Sequence, residues 1–210
     1  MTLTQSAQGV VHGGKQTGWQ YGGGRGDINL SLDTQKLGLW PGGFLNVEAE
    51  GNFIPADNFF KSINGRSGAL MPINSSQIYP TPAGDNFNLP AFNFTQFLSP
   101  YFGLTIGKFA TITSSSGDMN EFAHGKGDTQ FMNTAFNVNP VLLTTMPYST
   151  LGAGAIVLPT KDPNEAIVTF FVLQANGNAE TSGFEDLDSD ELTFAAEGRM
   201  RTDFFGHTGH

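Results

Sequence analysis

Charge is scarce in this chain: only 14% of its 210 residues are charged, whereas a soluble domain averages about 25%. Basic charge is scarcest, with 10 Lys+Arg against 19 Asp+Glu, a net −9 and a pI near 4.7. A sequence-independent grip on nucleic acid is therefore not expected. No run of about 18 apolar residues occurs, which excludes an α-helical membrane span. Spanning β-strands pass that test, because they need only about 10 residues of alternating polarity. A mean hydropathy of −0.17 is neutral on the point. Cysteine is absent, which fits passage through an oxidising compartment and equally fits many cytosolic proteins. Met1 to Ser6 shows neither a basic nor an apolar leader segment, so an export signal is expected to have been removed or to lie upstream.

What the chain does contain is Gly 27, Phe 19 and period-two alternation. Ile28, Leu30 and Leu32 interleave with Asp27, Asn29, Ser31 and Asp33, the signature of a strand with one wet face. Leu45, Val47 and Ala49 alternate with Asn46, Glu48 and Glu50, and Leu192, Phe194 and Ala196 with Thr193, Glu197 and Arg199. Fainter alternation runs from Leu3 to Val11, Phe102 to Ile106, Leu151 to Val157 and Ala166 to Leu173, and Phe87 to Leu98 reads as a strand broken by Pro90. About eight strands result, with no composition shift to suggest a second domain.

Between the strands, long and short linkers take turns. Gly13–Gln20, 55–85, 111–150 and 176–190 are the long ones; Leu37–Gly43, Ser99–Tyr101 and Pro159–Asn164 are the short ones. An antiparallel meander puts every second linker on the same rim, and outer-membrane barrels carry short turns on one rim and long loops on the other. Charge placement agrees, since a Lys or Arg facing lipid at mid-depth costs about 2–4 kcal/mol. Arg25, Asp27, Glu48, Glu50, Glu197 and Arg199 all lie on the polar parity, where a water-filled lumen solvates them more easily than a dry plug does. Lys108 shares the parity of Phe102, Leu104 and Ile106, so a bulge near Gly107 or a position at the rim is expected. The expected fold is all-β, an antiparallel up-and-down transmembrane β-barrel.

Particular strings resemble the carbohydrate-selective porins of the OprB type. They are Thr17-Gly18-Trp19 with Tyr21-Gly22-Gly23, Leu32-Asp33-Thr34, Lys36-Leu37-Gly38-Leu39-Trp40-Pro41-Gly42-Gly43 and Glu48-Ala49-Glu50-Gly51. In the longest linker the likeness rests on Gly117-Asp118-Met119-Asn120, Phe122-Ala123-His124-Gly125, Gln130-Phe131-Met132-Asn133, Asn139-Pro140 and Pro147-Tyr148-Ser149, and Thr181-Ser182-Gly183-Phe184 follows. The resemblance implies a sixteen-stranded barrel in the bacterial outer membrane, narrowed by loops folded into its lumen. Monosaccharides and short sugars would pass it by diffusion. On that likeness the chain is the N-terminal half, or a fragment, of such a porin, with about eight of its strands.

A sugar channel needs polar groups for hydroxyls and aromatic faces for sugar rings, without deep wells. Arg25, Asp27, Glu48, Glu50, Lys108, Glu197 and Arg199 are the candidates for the pore lining, and Asp118, Asn120, Glu121 and His124 for a constriction in the longest loop. Each could instead be an ordinary wall residue or a stabiliser of its own turn. Trp19 and Tyr21 are candidates for stacking at the mouth; Trp40, Tyr101 and Phe102 fit an interfacial girdle. Small sugars, membrane lipid and lipopolysaccharide are the expected partners, with a homo-oligomer possible by analogy with other porins. The histidines are scattered, no nucleophile elbow is present, and Gly125-Lys126-Gly127 lacks the P-loop spacing, so neither enzyme nor cofactor is expected. The acidic stretch from Glu185 to Glu191 reads as an exposed loop before a cation site. A soluble, lectin-like all-β domain is the alternative, and it requires the apolar strand faces to be sealed against a second sheet.

Overall fold

The computed structural model describes residues 1–54, 65–70, 73–74, 87–111, 133–137, 141, 145–187 and 191–209. Strands β1 (Thr2–Val10), β2 (Gly18–Asp33), β3 (Gly43–Ile54), β4 (Phe87–Ser99), β5 (Phe102–Ala110), β6 (Ser149–Val157), β7 (Ala166–Gln174) and β8 (Leu192–Met200) form one sheet in chain order. Every neighbouring pair is antiparallel. The all-β, up-and-down reading therefore describes this sheet, which is open, with β1 and β8 at its edges. The described elements without a sequence forecast include a four-residue helix α1 (Thr134–Asn137) and a 3-10 turn at Phe184–Asp186. They also include the hairpin of β9 (Thr202–Phe204) and β10 (His207–Gly209), which turns on Phe205 and Gly206 at φ 50° and 80°, as a type I′ turn requires.

Alternation sorts the two faces. Register places Ile28 opposite Ala49, Leu30 opposite Val47, Val47 opposite Phe92 and Phe94 opposite Ile106 on one side. On the other side Asp27 faces Glu50, Asn46 faces Asn93 and Thr95 faces Thr105. Pairing between β3 and β4 slips where Glu48 meets Ala91 but Glu50 meets Asn88. The slip puts Leu89 and Pro90 in a bulge, the place within a sheet where a residue without an amide donor is tolerated. Pro90 thus bends β4 and leaves it unbroken.

All the long connections leave from one rim, and described parts of two of them reach back to strands: Gln8 Nε2 donates to Ile73 O at 3.4 Å and Leu89 N to Ala179 O at 3.3 Å. The Lys15 and Gln16 amides of the β1–β2 connection donate to Arg66 O at 2.8 and 3.0 Å. The opposite rim is tied by shorter bridges, among them Phe97 N to Gly42 O at 2.7 Å and Leu158 N to Tyr101 O at 2.8 Å. The expected alternation of lengths fails at the first connection. Because β2 begins at Gly18, that connection spans only 11–17, whereas the turn between β2 and β3 spans 34–42. From β3 onward long and short connections do alternate, with 55–86, 111–148 and 175–191 on one rim and the 100–101 and 158–165 turns on the other.

A small apolar core lies on the polar side of β5 and β7, where Phe109, Met146, Phe171 and Leu173 are buried and Ala195 packs against them. The Phe109 and Phe171 rings meet edge to face at 5.2 Å between centroids, a favoured aromatic geometry. Met146 brings the chain preceding β6 into this cluster. That contact fixes one end of a segment on which the candidate site depends.

Candidate functional site

Four of the charged side chains forecast for a water-lined wall are instead sheltered toward the long-loop end of the polar face. Arg25 is 2% exposed, Asp27 and Glu50 0%, and Glu48 2%. Arg25 Nε donates to Asp27 Oδ1 at 2.6 Å, and Nη2 donates to Glu50 Oε1. One guanidinium thus joins two carboxylates on adjacent strands, as their register positions demand. Tyr148 then donates its hydroxyl to Glu50, with its oxygen 2.7 and 2.8 Å from the two carboxylate oxygens. The expectation that water solvates these charges is corrected for this cluster. Burial makes an unpaired charge costly, and here Arg25 partners Asp27 and Glu50 while Tyr148 adds a donor to Glu50.

Tyr148 precedes β6, and Glu50 lies on β3, with β4 and β5 between them. Adjacent strands are about 4.8 Å apart, so three steps across a flat sheet cover roughly 14 Å. Contact between these two side chains therefore carries Tyr148 back over β4 and β5 on the polar side. The same segment is held along its length: Thr111 Oγ1 donates to Pro147 O at 2.5 Å and Ser149 Oγ donates to Pro90 O at 2.6 Å. Nothing periodic points to Tyr148, because 98 residues separate it from Glu50.

Uncharged polar groups continue the face toward the short-turn rim. Ser31 donates to Asn46, Asn46 Nδ2 to Asn93 Oδ1 at 3.3 Å, and Thr95 Oγ1 to Thr105 Oγ1 at 2.9 Å. These cross-strand pairs follow from register. Glu197 and Arg199 lie on β8, opposite Thr169 and Ile167, and are half-buried. They sit apart from the Arg25 cluster, so the forecast lining does not form one group.

Lys108 departs furthest. Register puts it opposite Phe92 and Leu151 on the apolar side, while its neighbour Phe109 enters the core. The pairing around Gly107 shows no slip, although Gly107 has φ 137° and a Cβ there would lie 2.3 Å from Phe92 O. A bulge turning Lys108 onto the polar face is therefore ruled out, and the rim position is the observed one. Its ammonium donates to Ala179 O at 3.3 Å and Thr181 O at 2.5 Å, so the chain after β7 covers it. The hydroxyl of Ser182 and, more weakly, the Lys108 charge hold the exposed Glu185 carboxyl below its ordinary value. Folding therefore gains from that carboxylate above its unfolded pKa, and the gain is lost as pH falls through the lowered folded value. Replacing Lys108 by methionine is expected to raise hydrogen exchange in residues 176–187 while exchange in β2 and β3 stays unchanged, because the carbonyls lose a charged donor.

Asp118, Asn120, Glu121 and His124, the constriction candidates, lie outside the described residues, as does the side chain of Tyr21. Trp19 is exposed. Trp40 donates to Gln96 Oε1 at 2.7 Å and packs edge-on against Phe94, and the Lys161 ammonium stands 5.0 Å from the centre of the Tyr101 ring. Among the described residues no cluster of three or more His, Asp or Glu is arranged to hold a metal ion.

Fold and site together define an antiparallel meander with the Arg25 cluster sheltered on one face and Ile28, Leu30, Phe92, Leu104, Ile106, Phe170 and Phe194 exposed on the other. Comparison of the chain with protein-family models, with curated proteins and with solved structures gave no match.

Proposed function

We propose that this chain is part of a transmembrane β-barrel of the outer membrane, a porin of the OprB type that passes monosaccharides and small sugars by diffusion. The observation that carries the reading is the inverted polarity of the sheet. Leu3, Ile28, Leu30, Phe92, Leu104, Ile106, Phe170 and Phe194 are exposed while Arg25, Asp27 and Glu50 are buried. Burying a large apolar side chain yields about 1.5–3 kcal/mol in water, so a water-soluble fold has no reason to leave eight of them bare. Hydrocarbon removes the conflict. No described strand covers that face, whereas the lectin-like alternative needs a second sheet there.

Strand lengths fit as well. The strands of the sheet run from 9 to 16 residues, and a tilted membrane-spanning strand needs about 9–11. Exposed Trp40, Tyr101 and Phe102 at the short-turn rim would lie at one interface, with Trp19 and Phe87 toward the other. Partly exposed Asn46, Glu197 and Arg199 are the groups this wall offers to sugar hydroxyls, with lipid and lipopolysaccharide as partners outside.

The full-length gene product, reconstituted in liposomes, is expected to admit glucose faster than a disaccharide in a swelling assay. Vesicles that admit neither would overturn the channel.

A further inference from the structure

We infer that Tyr148 and Glu50 form a clasp that holds residues 145–149 across the polar face and limits the width of the passage, with Arg25 and Asp27 anchoring the clasp. This rests on the channel reading. Three of the proposed lining residues thereby become fasteners, withdrawn from solute.

Four contacts support the assignment, and they pull toward different strands. Met146 is buried against Phe109 and Phe171, on β5 and β7. Thr111, just past β5, takes the Pro147 and Tyr148 carbonyls, and Ser149 reaches the Pro90 carbonyl in the β4 bulge. Tyr148 reaches furthest, to β3. A segment tied only to β5 and β6 would be free to swing toward the wall. The tie to β3 holds it across the polar faces of β4 and β5.

The anchor explains why the far end is rigid. Glu50 accepts from Tyr148 while its Oε1 also receives Arg25 Nη2, and Arg25 is held in turn by Asp27. A carboxylate fixed from two sides presents its oxygens in one place, and a hydrogen bond to a charged acceptor is stronger than a neutral one. The phenol therefore meets a preset partner. Tyr148 and Glu50 act by position and need not touch sugar.

The experiment compares full-length wild type with Tyr148→Phe, Glu50→Gln and Glu50→Ala, with folding checked by heat-modifiable gel mobility. Hydrogen exchange at residues 145–148 is expected to rise about tenfold in Tyr148→Phe, the scale for a lost hydrogen bond to a charged group. Unit conductance in planar bilayers and the ratio of disaccharide to glucose entry are expected to rise with it. Glu50→Gln keeps an oxygen for Tyr148 and is expected to hold the segment better than Glu50→Ala while exchange in β7 and β8 stays equal in the two, whereas a loss of bulk stability would raise both. Unchanged exchange in Tyr148→Phe, or faster exchange without a change in sugar discrimination, overturns the clasp in a protein whose wild type conducts. If Tyr148→Phe does not fold, equal exchange in the two Glu50 variants overturns it. A wild type that passes no sugar instead removes the channel.

Discussion

Replacing Arg25 by alanine is expected to lower the stability of the folded sheet by about 3–5 kcal/mol, the cost of leaving a buried charge without its partner. Arg25 sits between Asp27 and Glu50, all three at 2% exposure or less. Its removal leaves two carboxylates facing each other across the β2–β3 pairing, out of reach of water. Denaturant unfolding of the detergent-solubilised protein, followed by gel mobility, measures the loss. A companion triple variant, Arg25→Met with Asp27→Asn and Glu50→Gln, removes all three charges together. It is expected to recover most of the lost stability, because neutral groups of similar volume carry a far smaller desolvation cost. A loss below about 1 kcal/mol, the usual scale of an exposed ion pair, would contradict a sheltered network.

The second large effect separates a membrane protein from a soluble one. Ile106 lies at the centre of β5 on its apolar face, opposite Phe94 and Ala153, and is 64% exposed. If that face meets hydrocarbon, Ile106→Arg is expected to cost about 2–4 kcal/mol near mid-depth. If it meets water, the same change falls within about 0.5 kcal/mol, as surface substitutions do. Folding yield into lipid vesicles, compared between wild type and variant, reads the difference. A variant that folds as well as wild type and stays dispersed without detergent would favour the soluble alternative.

At the other rim, an ordinary surface interaction gives a contrasting expectation. Arg201 Nη1 donates to Glu165 Oε1 at 2.7 Å, and this pairing raises the guanidinium pKa. Both side chains are well exposed. Arg201→Ala is therefore expected to change stability by less than about 1 kcal/mol in the same unfolding assay. Its effect should shrink further at high salt.

Much of the sheet was legible because strand periodicity is a local property. The alternation of Ile28, Leu30 and Leu32 with Asn29 and Ser31 fixes which side chains share a face, whatever the strand pairs with. Glu48 and Glu50 were correctly grouped with Arg25 and Asp27 for the same reason. Lys108 was placed only as one of two possibilities, since parity gives its side of the sheet and cannot reveal the chain after β7 that covers it. Tyr148 lies in the string Pro147-Tyr148-Ser149, and no local pattern pairs it with Glu50.

The sequence by itself determined the alternation, the strand count of the main sheet and the sharing of one face by the acidic and basic residues, since each depends on spacing within about ten residues. Only the tertiary structure decided that Arg25, Asp27 and Glu50 are closed into a network with Tyr148, and that Lys108 faces the other way under Ala179 and Thr181. Those contacts join residues far apart in the chain. They exist because the long connections fold back onto the strands, and no run of neighbouring residues encodes that return.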